Sequence, residues 1–236
     1  MAILSLKRVP EPELMDDDAE VDAYAGAAAQ SYLEAIDRSF VRHVEGLVAA
    51  PRIETARVLD VGCGPGQILV MMKQRWPGMQ ITGIDAGPAM IEKARKDASA
   101  AGLEIAYEVL RVGPEGDARL PYEDASFDLV TCNSVIHHLT DPVGALDEIA
   151  RVAKPEGAVL VRDLQRPKLL LPYALHVRVF GRHYEGEMRR LYEASVAAAY
   201  TPGEFGELLA RSKLAGGRAR VFRHGMTHAG IERPAA

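Results

Sequence analysis

Apolar residues along the chain fall into two alternating regimes: short continuous runs, and longer segments whose apolar positions lie three and four apart. The runs predict strands near 57–61, 80–84, 105–110, 127–132 and 158–163, and the spaced segments predict helices near 66–75, 88–101 and 143–152. Strand alternating with helix in this way predicts an α/β fold, a parallel sheet doubly wound with helices on both faces. Pro77-Gly78 and Lys154-Pro155-Glu156-Gly157 read as turns that close helices before the next strand. Upstream, Ala19 to Ala50 carries helical character, with Val21, Tyr24, Ala28, Tyr32, Ile36, Phe40, Val44 and Leu47 forming one apolar stripe. Downstream of Asp163 the alternation breaks into an insertion with an apolar piece, Leu169 to Leu175, and a helical segment from Glu185 to Tyr200. Thr201 then caps a helix with Pro202 in its first turn, and Arg218–Phe222 with Thr227–Glu232 reads as a closing hairpin. The chain therefore divides into a leader and covering helix (1–50), a core (51–163), a helical lid (164–200) and a closing helix and hairpin (201–236).

The junction between the first strand and its helix carries the chemistry. Val58-Leu59-Asp60-Val61-Gly62-Cys63-Gly64-Pro65-Gly66 is an apolar strand emptying into three alternating glycines, where a ligand can approach the main chain closely. The second strand ends in Asp85, which a parallel sheet places beside the glycine loop, positioned to accept both hydroxyl hydrogen bonds of a ribose. The dinucleotide pattern G-x-G-x-x-G would need glycine or alanine at 67, where this chain has Gln67. Asp60 ahead of the loop would repel a diphosphate and favour a cationic ammonium or sulfonium. A nicotinamide-dependent oxidoreductase is accordingly the weaker reading.

VLDVGCGPG, followed by ITGIDAGPAM, GDARLPYEDASFDLV and NSVIHHLTDP, resembles the class I S-adenosylmethionine-dependent methyltransferases, in particular their small-molecule branch, the enzymes of ubiquinone and menaquinone biosynthesis among them. The resemblance spans Val58 to Asp163 and implies a Rossmann-like, mainly parallel seven-stranded sheet in which only the last strand is antiparallel. Glu156 departs from the family, which usually has a second glycine there. The implied cofactor is S-adenosyl-L-methionine. Main-chain groups of Gly62, Cys63 and Gly64, with Gly66 closing the loop, would cradle its methionine part, and Asp60 and the Asn133 carbonyl would face its ammonium. Asp85 would hold the ribose, Ala86 and Met90 would pack on the adenine, and Asp117 with the Ala118 amide would bond it. Tyr24 or Tyr32 would roof the pocket.

Composition narrows the partner. A net charge of -5 disfavours a dedicated nucleic-acid binder. Two cysteines exclude a disulfide framework, and the leader lacks the form of a signal peptide. No apolar run approaches the roughly 20 residues that span a bilayer. These features lead to the expectation of a soluble, cytoplasmic enzyme with a small-molecule methyl acceptor and no nucleic-acid or membrane partner; they leave its oligomeric state open. A cofactor-binding regulator without turnover is the alternative from another class.

His137 and His138 follow the fourth strand, and one of them is the candidate base for an acceptor that arrives protonated. The pair alone does not make a metal site, because no cysteine or carboxylate stands at ligand spacing, so no metal is expected. Acceptor contacts are assigned to Arg162, Gln165 and Arg166 after the fifth strand and to His176 and Tyr184 in the lid. Residues 162–200 hold seven Lys and Arg against four Asp and Glu, which suggests that one or two arginines bind an acceptor carboxylate or phosphate. Whether oxygen, nitrogen, sulfur or carbon receives the methyl is open at this level.

Overall fold

A computed structural model describes residues 6–11, 31–112 and 119–236 of the chain. Seven strands form one sheet: β1 (Arg57–Val61), β2 (Gln80–Asp85), β3 (Ala106–Val109), β4 (Phe127–Asn133), β5 (Ala153–Leu164), β6 (Arg220–His224) and β7 (His228–Arg233). Their order is β3-β2-β1-β4-β5-β7-β6. Pairing is parallel from β3 through β5, and β7 is antiparallel to both of its neighbours. The helices are α1 (Ser31–Leu47), α2 (Gln67–Arg75), α3 (Pro88–Ala100), α4 (Pro142–Val152), α5 (Leu170–Phe180), α6 (Gly186–Ala198) and α7 (Pro202–Arg211). Strand order reverses direction between β1 and β4, and in such sheets a crevice opens at the carboxyl ends of the strands flanking that point.

Each central strand is apolar on both sides because both faces are covered. Val58, Leu129 and Leu160 pack with Phe40, Val44, Leu69 and Met72. Their neighbours Leu59, Val130 and Val161 pack with Leu146, Ile149 and Phe205 on the other face. Full burial of side chains this size contributes about 1.5–3 kcal/mol each, so the sheet between β1 and β5 is the rigid part of the molecule. A third, smaller cluster joins Tyr184, Tyr192 and Val196 of the lid to Tyr32 and Leu33 of α1. Thr201 caps α7 through a complete capping box with Glu204.

One expected turn is corrected. Residues 154–157 do not close a helix as a free turn; β5 already starts at Ala153, and its pairing with β4 shifts register between Phe127 and Leu129. Gly157 sits where an added Cβ would come within 2.8 Å of the Asp128 carbonyl oxygen, so the irregularity tolerates Glu156 but requires the glycine beside it. Among the described residues no helix is long and apolar enough to cross a membrane.

Candidate active site

The loop after β1 puts its glycines to three different uses. Gly62, Gly64 and Gly66 all have positive φ, at 73°, 52° and 80°. A Cβ on Gly62 would meet Val135 at 2.2 Å, and one on Gly66 would meet the Tyr107 hydroxyl at 2.6 Å. A Cβ on Gly64 would meet nothing within 4 Å, so Gly64 is the position that leaves open space for a ligand. Gly66 is the N-cap of α2 and packs on Tyr107. It does not line the cavity, which corrects its assignment as a ligand contact. The amides of the loop are already engaged: Gly62 and Cys63 both donate to the Ile84 carbonyl, at 2.7 and 2.9 Å, and Gly64 donates to Asp85 Oδ2 at 2.8 Å. These contacts clamp the loop against β2 and leave its open surface, not its N–H groups, toward the cavity. Burial, with Asp60 and Asp85 nearby, pushes the Cys63 thiol far up, so it stays protonated and unreactive.

Two aspartates define the donor end. Asp60 is buried and accepts from Thr131 Oγ1 at 2.6 Å. Burial raises its pKa to about 7 against the effect of that hydrogen bond, with Asp85 adding to the rise, and no cation is among the groups that act on it. A shift of this size makes the carboxylate about 4 kcal/mol harder to ionise, which is what one cation about 4 Å away returns at an intermediate dielectric. The environment is thus complementary to a positively charged ligand. Asp85 takes the Gly64 amide on one oxygen and the Gly87 amide, at 2.9 Å, on the other. That fixes the carboxylate plane at the end of β2, facing the cavity.

A cavity of about 240 Å³ opens from these groups along the carboxyl ends of the strands. Of the residues singled out in the sequence, Asp60, Gly62, Cys63, Gly64, Asp85, Ala86, Met90, Asn133, His137, His138 and Tyr184 line it. Tyr24, Asp117 and Ala118 lie outside the described residues. The far wall is aromatic and apolar: Tyr32 and Leu33 of α1, then Tyr184, Met188, Leu191 and Tyr192 of the lid. Its described charged lining comprises Asp37, Asp60, Asp85 and Arg111, a balance that suits a cation. Burial raises Asp37 to about 6, with Arg162 opposing.

The assigned acceptor contacts need correction. Arg162 is fully buried outside the cavity, where it donates to Asn133 Oδ1, Ser39 Oγ and the Ile36 carbonyl and lies over the Phe40 ring. It ties α1 to β4 and β5. Arg166 is equally turned inward, forked on Glu204 at 2.7 and 2.9 Å and donating to the Ala199 and Leu6 carbonyls. Gln165 is held by main-chain contacts to Thr227 and Tyr200, and His176 is buried against Phe180; neither lines the cavity. Guanidinium groups buried on this scale need several acceptors, and carboxylates and carbonyls of the fold supply them.

His137 is buried at the acceptor end. Its Nδ1 bonds Asp163 Oδ1 at 2.6 Å, and its amide donates to Asp163 Oδ2 at 3.0 Å. Burial works against its charged form, but the Asp163 carboxylate and then Glu11 outweigh it, and the pKa is raised. Glu11 Oε2 lies 3.7 Å from His137 Nε2 and 3.8 Å from His138 Nδ1. A carboxylate therefore does stand within reach of the pair, supplied by the leader and not by the neighbouring sequence. His228 of β7 also lines the cavity; burial and the nearby Arg162 hold it neutral, and Thr227 Oγ1 bonds its Nδ1. No local pattern in the closing hairpin marked it. Asp37 and Tyr192 were legible only as parts of helices.

Fold and cavity together define the Rossmann-like class with a crevice at the switch point of the sheet, here lined by three aspartates. Comparison with known proteins gives the family: a methyltransferase domain matches residues 59–161. The demethylmenaquinone methyltransferase of Deinococcus radiodurans is 36% identical over 169 residues, which is 70% of this chain and 65% of that protein. The ubiquinone biosynthesis O-methyltransferase of Xanthomonas campestris is 31% identical over 173 residues, 70% of this chain and 67% of that one. The crystal structure of the plantazolicin methyltransferase BpumL, solved with SAH, shares the fold with a TM-score of 0.61 at 17% identity, covering 87% of this chain and 74% of that one. The chain belongs to the S-adenosylmethionine-dependent methyltransferases. It spans 65% or less of the length of the first four curated relatives it matches.

Proposed function

We propose that this chain transfers the methyl group of S-adenosylmethionine to a small aromatic acceptor by direct in-line displacement. The observation that carries the reading is the placement of buried Asp60 and fixed Asp85 on either side of the open surface at Gly64, in a cavity that continues to an aromatic wall. Asp60 would face the donor's ammonium, Asp85 its ribose, and Ala86 and Met90 its base. When bound, the donor supplies an already activated methyl on a sulfonium, so the protein's task is alignment and exclusion of water. Tyr32, Tyr184 and Tyr192 provide the ring faces for alignment, and the lid cluster that holds them covers the cavity. The relatives named for demethylmenaquinone and for ubiquinone biosynthesis support an aromatic acceptor of that kind.

The acceptor is proposed as neutral, because Arg162 and Arg166, the cations assigned to a carboxylate or phosphate, are spent inside the fold. A regulator that only holds the cofactor is less well supported, since the cavity extends well past the donor end to His137 and Tyr192. Titration calorimetry with S-adenosylhomocysteine tests the donor end. Incubation with isotopically labelled S-adenosylmethionine and a panel of small phenols and hydroquinones, read by mass spectrometry, tests the rest. Absence of heat with the demethylated product would overturn the reading, and binding without labelled product from any aromatic would return the regulator.

A further inference from the structure

We propose that Glu11, His137 and His138 form a binding site for a zinc-class divalent cation at the acceptor end of the cavity. The inference rests on the methyltransferase reading for its purpose but not for its geometry. Three ligand atoms, one from each residue, lie within 4.8 Å of one another. Glu11 Oε2 lies 3.7 Å from His137 Nε2 and 3.8 Å from His138 Nδ1, separations too long for hydrogen bonds. They are close to the edge of a zinc coordination tetrahedron, about 3.4 Å for bonds of about 2.0–2.1 Å. Sub-ångström movements would close all three onto one ion.

The surroundings match a metal site as well. His137 is 2% exposed and its Nε2 has no hydrogen-bond partner, an arrangement that is costly unless something binds there. Its other nitrogen is fixed by Asp163, which also accepts from the His137 and Leu164 amides and so cannot rotate away. A carboxylate behind the ring is the usual partner of a ligating histidine, because it sets the tautomer that leaves the outward nitrogen's lone pair for the metal. Glu11 is itself held in place: its segment hydrogen-bonds through Leu6 to Lys168 and through Val9 to Ala197, and Ser195 Oγ reaches its carboxylate at 3.4 Å. The nearest opposing charge, Arg8, donates to the Ala198 and His137 carbonyls and lies over the Tyr200 ring. One carboxylate and two imidazoles suit zinc in preference to magnesium or calcium, and three protein ligands are the set that leaves a position open. Both histidines and Ser195 line the cavity, so an acceptor oxygen is the natural fourth ligand, polarised by the ion.

The test uses the full chain freed of metal by chelator dialysis, titrated with zinc by calorimetry and with cobalt(II) by visible absorption. One ion per chain is expected, with the absorption bands of low-coordinate cobalt, and Glu11→Gln and His138→Ala should each weaken binding at least about tenfold. Glu11→Gln nearly preserves shape, so it decides the matter if His138→Ala melts early. Failure of the wild-type chain to take up zinc, or equal uptake by all three proteins, overturns the proposal. S-adenosylhomocysteine titrated into the same samples separates the two claims: its binding should be unchanged in Glu11→Gln. Loss of that binding in the wild-type chain would fault the methyltransferase reading while the zinc result stood on its own.

Discussion

The two ends of the cavity are built on opposite principles. At the donor end, contiguous residues do the work: the turn from Val61 through Gly66 and the strand end at Asp85 are locked by hydrogen bonds to the main chain. At the acceptor end the wall is assembled from Tyr32, Tyr184, Tyr192 and His228, side chains brought from three distant segments, while Arg166 turns inward. Recognition of an invariant ligand can be written into one loop. Recognition of a particular acceptor is distributed over packing.

The sharpest way to break this contrast is Arg166→Ala. If Arg166 belongs to the fold, its removal unpairs half-exposed Glu204 and two carbonyls and should cost about 1–3 kcal/mol of stability, read as a lower urea midpoint. Donor binding under native conditions should hardly change. A stable variant with selectively weakened acceptor binding would restore Arg166 to the site and erase the difference between the ends.

The burial of Asp60 predicts a pH signature in the stability of the ligand-free chain. Asp60 holds its proton up to about pH 7 in the folded chain and releases it near 4 when unfolded. Between those values the native state binds the extra proton, so stability falls as pH rises, by at most about 1.4 kcal/mol per unit, and levels off above 7. Asp60→Asn should flatten that slope in thermal melts of the ligand-free chain and abolish the tightening of S-adenosylmethionine binding as pH rises through 7. An unchanged slope would show that Asp60 is ionised and paired throughout. At the neighbouring carboxylate, Asp85→Asn should raise the dissociation constant for S-adenosylhomocysteine about 10–100-fold through loss of charge-assisted hydrogen bonds, with little change in melting temperature.

The same contrast explains what could be read from the chain alone. Glycine spacing, the acid ending β2 and the apolar runs are local signals, and each came out where periodicity placed it; helix α7 even begins at the expected cap, Thr201. Arg166 was misread because charge balance says nothing about direction: its partner Glu204 lies 38 residues on, in the first turn of α7. The carboxylate beside the histidines was missed for a similar reason. Glu11 reaches them only because the leader runs along the end of α6, a contact no spacing rule contains.

The smallest effect is expected from the aromatic wall, and it bears most directly on what the acceptor end selects. Tyr184 and Tyr192 lie with ring centroids 4.9 Å apart, and Tyr32 meets Tyr184 edge-on at 6.1 Å, so a planar guest would find ring faces and edges already set by packing. Such contacts are worth about 0.5–1.5 kcal/mol beyond area, or about 2–10-fold in affinity. With the chain saturated by S-adenosylhomocysteine, dihydroxynaphthalene should bind more tightly than a saturated diol of similar volume. Tyr184→Leu keeps the site apolar while removing the ring, so it should reduce that preference several-fold and leave the saturated diol almost unaffected. Equal losses for both guests would mean that the wall supplies only apolar area, and selection of the acceptor would then fall to the polar groups around His137 and His228.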